Sequence, residues 1–177
     1  MPLKSLSFAA AGVLTLSSLF SSPLPAFAKT DKPLVLEEFF KGHTVGRGAF
    51  DSEIAGVHRP LTAYMIGSWN PKTFVFTLRE DIRYDDGERE KAVWVFQKTG
   101  EGRYVGQRSG VKGLVQVTTT GGAIRFSYVM DVPTGSGTTA LRFADTLTRT
   151  GSNTVRNTSE VTKLGFPVGT VDITFTR

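Results

Sequence analysis

Cysteine is absent from these 177 residues and histidine occurs only twice. Without cysteine there is no disulfide, no thiolate nucleophile or metal ligand, and no residue to carry a lipid. His43 and His58 stand apart, one opening a strand-like run and one in a turn, so a transition-metal site would rest on carboxylates alone, a poor donor set. No metal or other cofactor is expected. Runs of basic residues are also missing: 21 Lys and Arg against 16 acids give a net charge of +5, scattered along the chain. Nucleic acid is therefore not an expected partner. Gly46-Arg47-Gly48 is not a phosphate loop, because no helix follows it.

Long apolar runs are confined to the beginning. Lys4 supplies a positive charge, residues 8–20 are apolar and uncharged, and Ala26-Phe27-Ala28 follows the breakers Pro23 and Pro25. This is the pattern of a Sec-type export signal cleaved after Ala28. The run is short of the about 20 residues a membrane helix needs, and no other stretch approaches that length, so no transmembrane span is expected in the mature chain. The expected organisation is a signal at 1–28 and one domain at 29–177, periplasmic or secreted. Loss of Lys4 takes the net charge from +5 to +4.

What the chain has is alternation. Phe76, Leu78, Ile82 and Tyr84 are interleaved with Thr77, Arg79, Asp81 and Arg83, and Ala92, Trp94 and Phe96 repeat the pattern after Asp85-Asp86-Gly87. Period two with one wet face reads as a strand, and Asp-Asp-Gly suits a three-residue hairpin loop closed by a left-handed glycine. That turn sets Tyr84 opposite Glu88, Leu78 opposite Trp94 and Phe76 opposite Phe96. A slip of one residue would send a whole apolar set to the wrong face.

Similar runs recur at 44–54, 61–69, 73–84, 88–98, 103–109, 112–119, 123–132, 139–149, 155–163 and 170–176, separated by Gly, Pro or Asn. Short connections make sequence neighbours spatial neighbours, and a long meander leaves two bare edges unless it closes. The expected fold is therefore all-β: an antiparallel up-and-down barrel of about eight to ten strands over 43–177, with a short N-terminal helix at 34–41. Leu36, Phe39 and Phe40 would share the helix face that docks on the barrel, and Gly42 would stop it. The inward columns include Phe50 and Ile54, Phe74 to Leu78, Ile124 to Met130, and Leu141, Phe143 and Leu147.

A barrel of this size can hold a small ligand. The candidate binding residues are Phe76, Trp94, Phe126, Tyr128 and Phe143, with Glu80 or Asp145 at the polar end. Both acids fall in inward columns, where an unpaired carboxylate is costly. Each should be paired, near a rim, or protonated in a cavity. A structural ion pair, with Arg108 as one partner, is the simpler reading; orienting a ligand is the sharper one. Acid and base work by the two together would need them close. No nucleophile or metal set marks an enzyme. The expected ligand is apolar or amphipathic, such as a fatty acid or isoprenoid. The alternative is a packed barrel that meets an envelope protein partner through the loops around Asp85 or Phe166-Pro167, the apolar run Phe166-Pro167-Val168 being the feature that favours it. Asn157-Thr158-Ser159 matches a glycosylation triplet, a common chance pattern.

Several motifs taken in order resemble a family of exported proteobacterial proteins of unknown function, domain of unknown function family 3833. They are Leu36-Glu37-Glu38-Phe39-Phe40-Lys41-Gly42, Gly67-Ser68-Trp69-Asn70, Glu80-Asp81-Ile82-Arg83-Tyr84-Asp85-Asp86-Gly87, Trp94-Val95-Phe96 and Lys163-Leu164-Gly165-Phe166-Pro167-Val168-Gly169. The resemblance implies a lipocalin-like barrel and brings no established activity. Members are often lipoproteins, and the lack of an acylated cysteine implies a soluble periplasmic form here. Members usually carry paired acids where this chain has Ala144-Asp145.

Overall fold

Alternating apolar and polar residues give ten strands that share a single interior. The structure, a computed structural model, describes residues 33–134 and 137–177, so the expected signal segment lies outside the described residues. Helix α1 (Leu36–Phe40) leads into β1 (Gly42–Ser52), β2 (Val57–Asn70), β3 (Val75–Tyr84), β4 (Arg89–Gly100) and β5 (Arg103–Arg108). Then come β6 (Val115–Thr120), β7 (Ala123–Thr134), β8 (Gly137–Arg149), β9 (Thr154–Lys163) and β10 (Phe166–Thr176). Each strand pairs antiparallel with its successor, and β10 returns to pair with β1, closing the barrel. The closed ring leaves only local flanks unpaired, chiefly where the β7–β8 hairpin runs past its neighbours beyond Phe126 and before Arg142.

The β3–β4 hairpin has the register its turn dictates: Leu78 faces Trp94, Phe76 faces Phe96 and Glu80 faces Ala92. Tyr84 N–H donates to the Glu88 carbonyl and Gly87 N–H to the Tyr84 carbonyl, each at 3.0 Å, with Gly87 at φ 90°. The mixed-charge tip is tied down by Arg59 of β2, which pairs with Asp86 at 2.6 Å and with Glu88 while stacking on the Tyr84 ring.

Two inward assignments are corrected. Phe74 sits at φ 55° in the turn before β3, 55% exposed, its ring against the edge of Trp69. Ile54 lies beyond the end of β1 and is 80% exposed. In both cases the chain has left the sheet, and alternation no longer decides which way a side chain points. The segment at Phe166 is also strand rather than loop: β10 starts there, with a register shift between Pro167 and Gly169.

α1 seals one end of the barrel. It is shorter than the expected 34–41, because Val35 supplies no capping side chain and Gly42 turns away at φ 87°. Leu36, Phe39 and Phe40 are all buried, and the Phe40 ring meets Phe175 edge-on at 5.3 Å. Close approach depends on Gly67, since a Cβ there would lie 1.9 Å from the Phe40 carbonyl oxygen. A polar anchor accompanies the apolar one: Lys98 Nζ lies 2.6 Å from Glu37 Oε1, and the Tyr104 hydroxyl donates to Oε2 at 2.5 Å. Burial pushes the Glu37 carboxyl up, but these donors outweigh it and hold the pKa below the usual value. Around them Leu34, Phe76, Phe96, Val117, Ile124 and Val155 form a dry floor. Burying each large side chain contributes roughly 1.5–3 kcal/mol.

Candidate functional site

From that floor a ladder of rings climbs the interior toward the opposite end, where the β1–β2, β3–β4 and β9–β10 turns lie. Phe76 stacks on Phe96 (6.4 Å between centroids), and Phe96 stacks on Trp94 (5.2 Å). Trp94 meets Phe126 (6.0 Å) and Tyr128 (5.3 Å) edge-on, and Tyr128 stacks on Phe143 (5.3 Å). Period two places Trp94 and Phe96 on one face of β4, and Gly106 on β5 leaves room for both rings. Phe76, Phe96 and Trp94 are buried, whereas Phe126, Tyr128, Met130, Leu141 and Phe143 are only half-buried. The interior is sealed at the helix and loosens toward the turns.

Two polar groups flank the ladder. On one side Arg108 of β5 lies 3.5 Å from Glu80 Oε2, forms an ion pair with Glu90 and directs Nη1 at the Met130 sulfur, 2.8 Å away. Burial is the largest influence on Glu80. Arg108 opposes it, Glu90 and Asp145 add to it, and the carboxyl is raised to about 7. On the other side Asn157 Nδ2 donates to Asp145 Oδ1 at 2.7 Å across the β8–β9 pair. Burial again dominates and raises Asp145 to about 6, against the pull of Asn157, Tyr128 and Ser159. Tyr128 lies between the two groups: burial, then the charges of Asp145 and Glu80, keep its phenol protonated well above the usual range. Asp145 Oδ2, Asn157 Oδ1 and Ser159 Oγ fall outside hydrogen-bond geometry, although the Tyr128 and Ser159 hydroxyls lie near enough to Asp145 to lower its pKa.

The expected site residues are thus largely brought together. Trp94, Phe126, Tyr128 and Phe143 touch, with Glu80 and Asp145 to either side, while Phe76 belongs to the dry floor. Glu80 has the expected partner in Arg108. Asp145 instead meets an amide, so the two acids share an interior but are held by separate partners. Sequence reasoning missed Asn157, Ser159, Glu90 and Glu37. Asn157 was visible only as part of the glycosylation triplet, yet its amide nitrogen is engaged inside the barrel; the period of β9 (Val155, Asn157, Ser159, Val161) was the usable signal. Among the described residues no group of three or more His, Asp or Glu is arranged to hold a metal ion. No described helix is long and apolar enough to cross a membrane.

Shallow grooves on the outside run over Ala144, Thr146, Thr158 and Asp172, and over Gln116, Thr118, Arg125 and Ser127.

The architecture has a solved counterpart. An S-type phycobiliprotein lyase from Guillardia theta superposes with a TM-score of 0.57 at 14% sequence identity, covering 81% of this chain and 93% of the lyase. At that identity the likeness is one of fold, a lipocalin-like barrel. No curated protein matches the sequence. Residues 13–177 match the model of a family described as "Protein of unknown function (DUF3833)", and the chain belongs to that family.

Proposed function

We propose that this protein is a periplasmic binding module that takes a small apolar or amphipathic molecule into the turn-side half of its barrel. The observation that supports this reading is the burial gradient along one ring ladder: Phe76 and Phe96 are packed dry, while Phe126, Tyr128 and Phe143 retain accessible surface although they point inward. Interior aromatics left part-open beside a few polar groups make the chemical environment of a ligand pocket. The counterpart's name attaches it to phycobiliproteins, and nothing of that activity is carried over. The test is native mass spectrometry of protein purified from the periplasm. A co-purified small molecule, lost on Phe143→Ala together with Tyr128→Phe, is the expected result. An empty protein with a tightly filled interior would overturn the reading.

A second reading has its own observation. Ile54, Leu164 and Phe166 project from the β1–β2 and β9–β10 turns, 80%, 90% and 74% exposed. These turns are neighbours, joined by the Ser52 hydroxyl donating to the Val168 carbonyl at 2.6 Å. Such an apolar rim suits an envelope protein partner. Crosslinking from position 166 in cells should capture one, and capture of nothing would remove this reading.

A further inference from the structure

The polar lining of the interior is lopsided. Around the upper rings Glu80, Glu90 and Asp145 face it, and the Arg108 guanidinium is already engaged by both glutamates, while the Arg149 guanidinium lies at the helix end over Phe39. Around Asp145 the atoms without a hydrogen-bond partner are Asp145 Oδ2, Asn157 Oδ1 and the Ser159 hydroxyl, while Arg149 Nε, on the same face of β8 toward the helix, is an unpartnered donor. Asp145 is 6% exposed and Ser159 3%, so bulk water does not satisfy them. A buried acceptor without a donor costs about 1–3 kcal/mol, a cost that a bound group bearing N–H would remove. A carboxylate brought to the same place would meet the like charge of Asp145 and the Asn157 carbonyl, with only the Ser159 and Tyr128 hydroxyls, both already turned to Asp145, to donate to it. The opposite wall offers it little help, because Arg108 has no open carboxylate-facing fork left.

Resting on the binding-module reading above, we propose that the pocket selects its ligand by a donor-rich cationic head, an amphipathic amine, held by Asp145, Asn157 and Ser159 with its apolar body along Phe126, Tyr128 and Phe143. A fatty acid, one example of the apolar or amphipathic class expected from the sequence, is disfavoured at this pole. Glu80 and Glu90 lie across the interior beyond Tyr128, and Arg108 sits between them, so the charge seen by an incoming ammonium remains net negative. Asp145 is the nearest titrating group. The others facing the interior are Glu80 and Tyr84 from β3, Glu90 from β4, Arg108 from β5, Tyr128 from β7 and, at the helix end, Arg149 from β8; β9 contributes the neutral Asn157 and Ser159. An ammonium would stabilise the ionised carboxylate and release a proton on binding, so amine affinity should rise with pH between about 5 and 8.

The experiment titrates delipidated full-length mature protein with dodecylamine, dodecanol and dodecanoate below their micellar concentrations, followed by calorimetry at pH 6 and pH 8. The expected order is amine tightest, with a preference over dodecanoate of at least about tenfold at pH 8. Asp145→Asn should shrink that preference by about tenfold, and Ser159→Ala should weaken amine binding by several-fold. Dodecanoate binding as tightly as dodecylamine would overturn the proposal, as would an undiminished preference in folded Asp145→Asn. If Asp145→Asn does not fold, the wild-type pH dependence decides: amine affinity that falls from pH 6 to pH 8 overturns it. Failure of all three probes, dodecanol included, would sink the binding-module reading itself.

Discussion

The Tyr104 hydroxyl reaches from β5 across the end of the barrel to donate to Glu37 of the helix at 2.5 Å. With Lys98 on the same carboxylate, it makes a five-residue helix part of the fold, although so short a helix has no stability alone. Glu37→Gln keeps the shape and removes the charge. It should lower unfolding free energy by roughly 1.5–3 kcal/mol in urea titrations, with Tyr104→Phe non-additive with it. Full additivity would mean that the two residues act independently.

Gly67→Ala tests the apolar side of the same joint. The added methyl would be driven into the Phe40 carbonyl, a backbone atom that cannot swing away, so α1 must lift from β2. Amide exchange should speed up at Phe39 and Lys41, whose N–H groups bond Val35 and Glu37, while protection in β7–β8 persists. Unchanged exchange in α1 would show that the helix does not depend on this contact.

Glu80 makes stability depend on pH in a definite direction. The fold raises its pKa from 4.5 to about 7, so the folded state binds the proton more tightly than the unfolded chain. The stabilisation is fully present below about 4.5 and is lost as pH rises through about 7. Asp145 acts in the same sense between 3.8 and about 6. Wild-type stability should therefore fall across this window, by up to about 3 kcal/mol for Glu80, and Glu80→Gln should flatten the slope. A variant equally destabilised at every pH would mean that the Arg108 ion pair, not burial, governs this residue.

Leu164 is strained where an asparagine would not be. Leu164 and Gly165 both have positive φ, 51° and 86°, in a two-residue turn between paired Lys163 and Phe166. Such primed turns favour Asn-Gly. Leu164→Asn should raise the melting temperature, by the equivalent of about 1 kcal/mol, without altering ligand binding. If the same change abolishes crosslinking from position 166, the strained leucine serves the partner rather than the fold.

The β3–β4 register could be read in advance because a turn of known length and an aromatic face both constrain it, and each agrees with the other. Period two states which face a residue takes but not how deep it lies along the barrel axis. Alternation therefore groups Phe76 with Phe143, although one lies on the sealed floor and the other in the part-open half. Arg108 could be picked out as the partner for Glu80, since a buried carboxylate calls for a cation and few point inward. Asn157 and Ser159 look like ordinary surface residues when taken singly, and only the β8–β9 pairing sets them against Asp145. Phe74 and Ile54 were misplaced because a strand's pattern was carried past the point where its hydrogen bonds end.

Pairing of β1 with β10, from Val45 with Thr176 to Asp51 with Thr170, joins segments separated by nearly the whole domain. The ring cannot shut until the final strand is present, so until then the first strand waits with one flank unmated. A chain stopped before Phe166 would keep that flank and the flank of β9 open for good, and should stick to its own copies instead of folding.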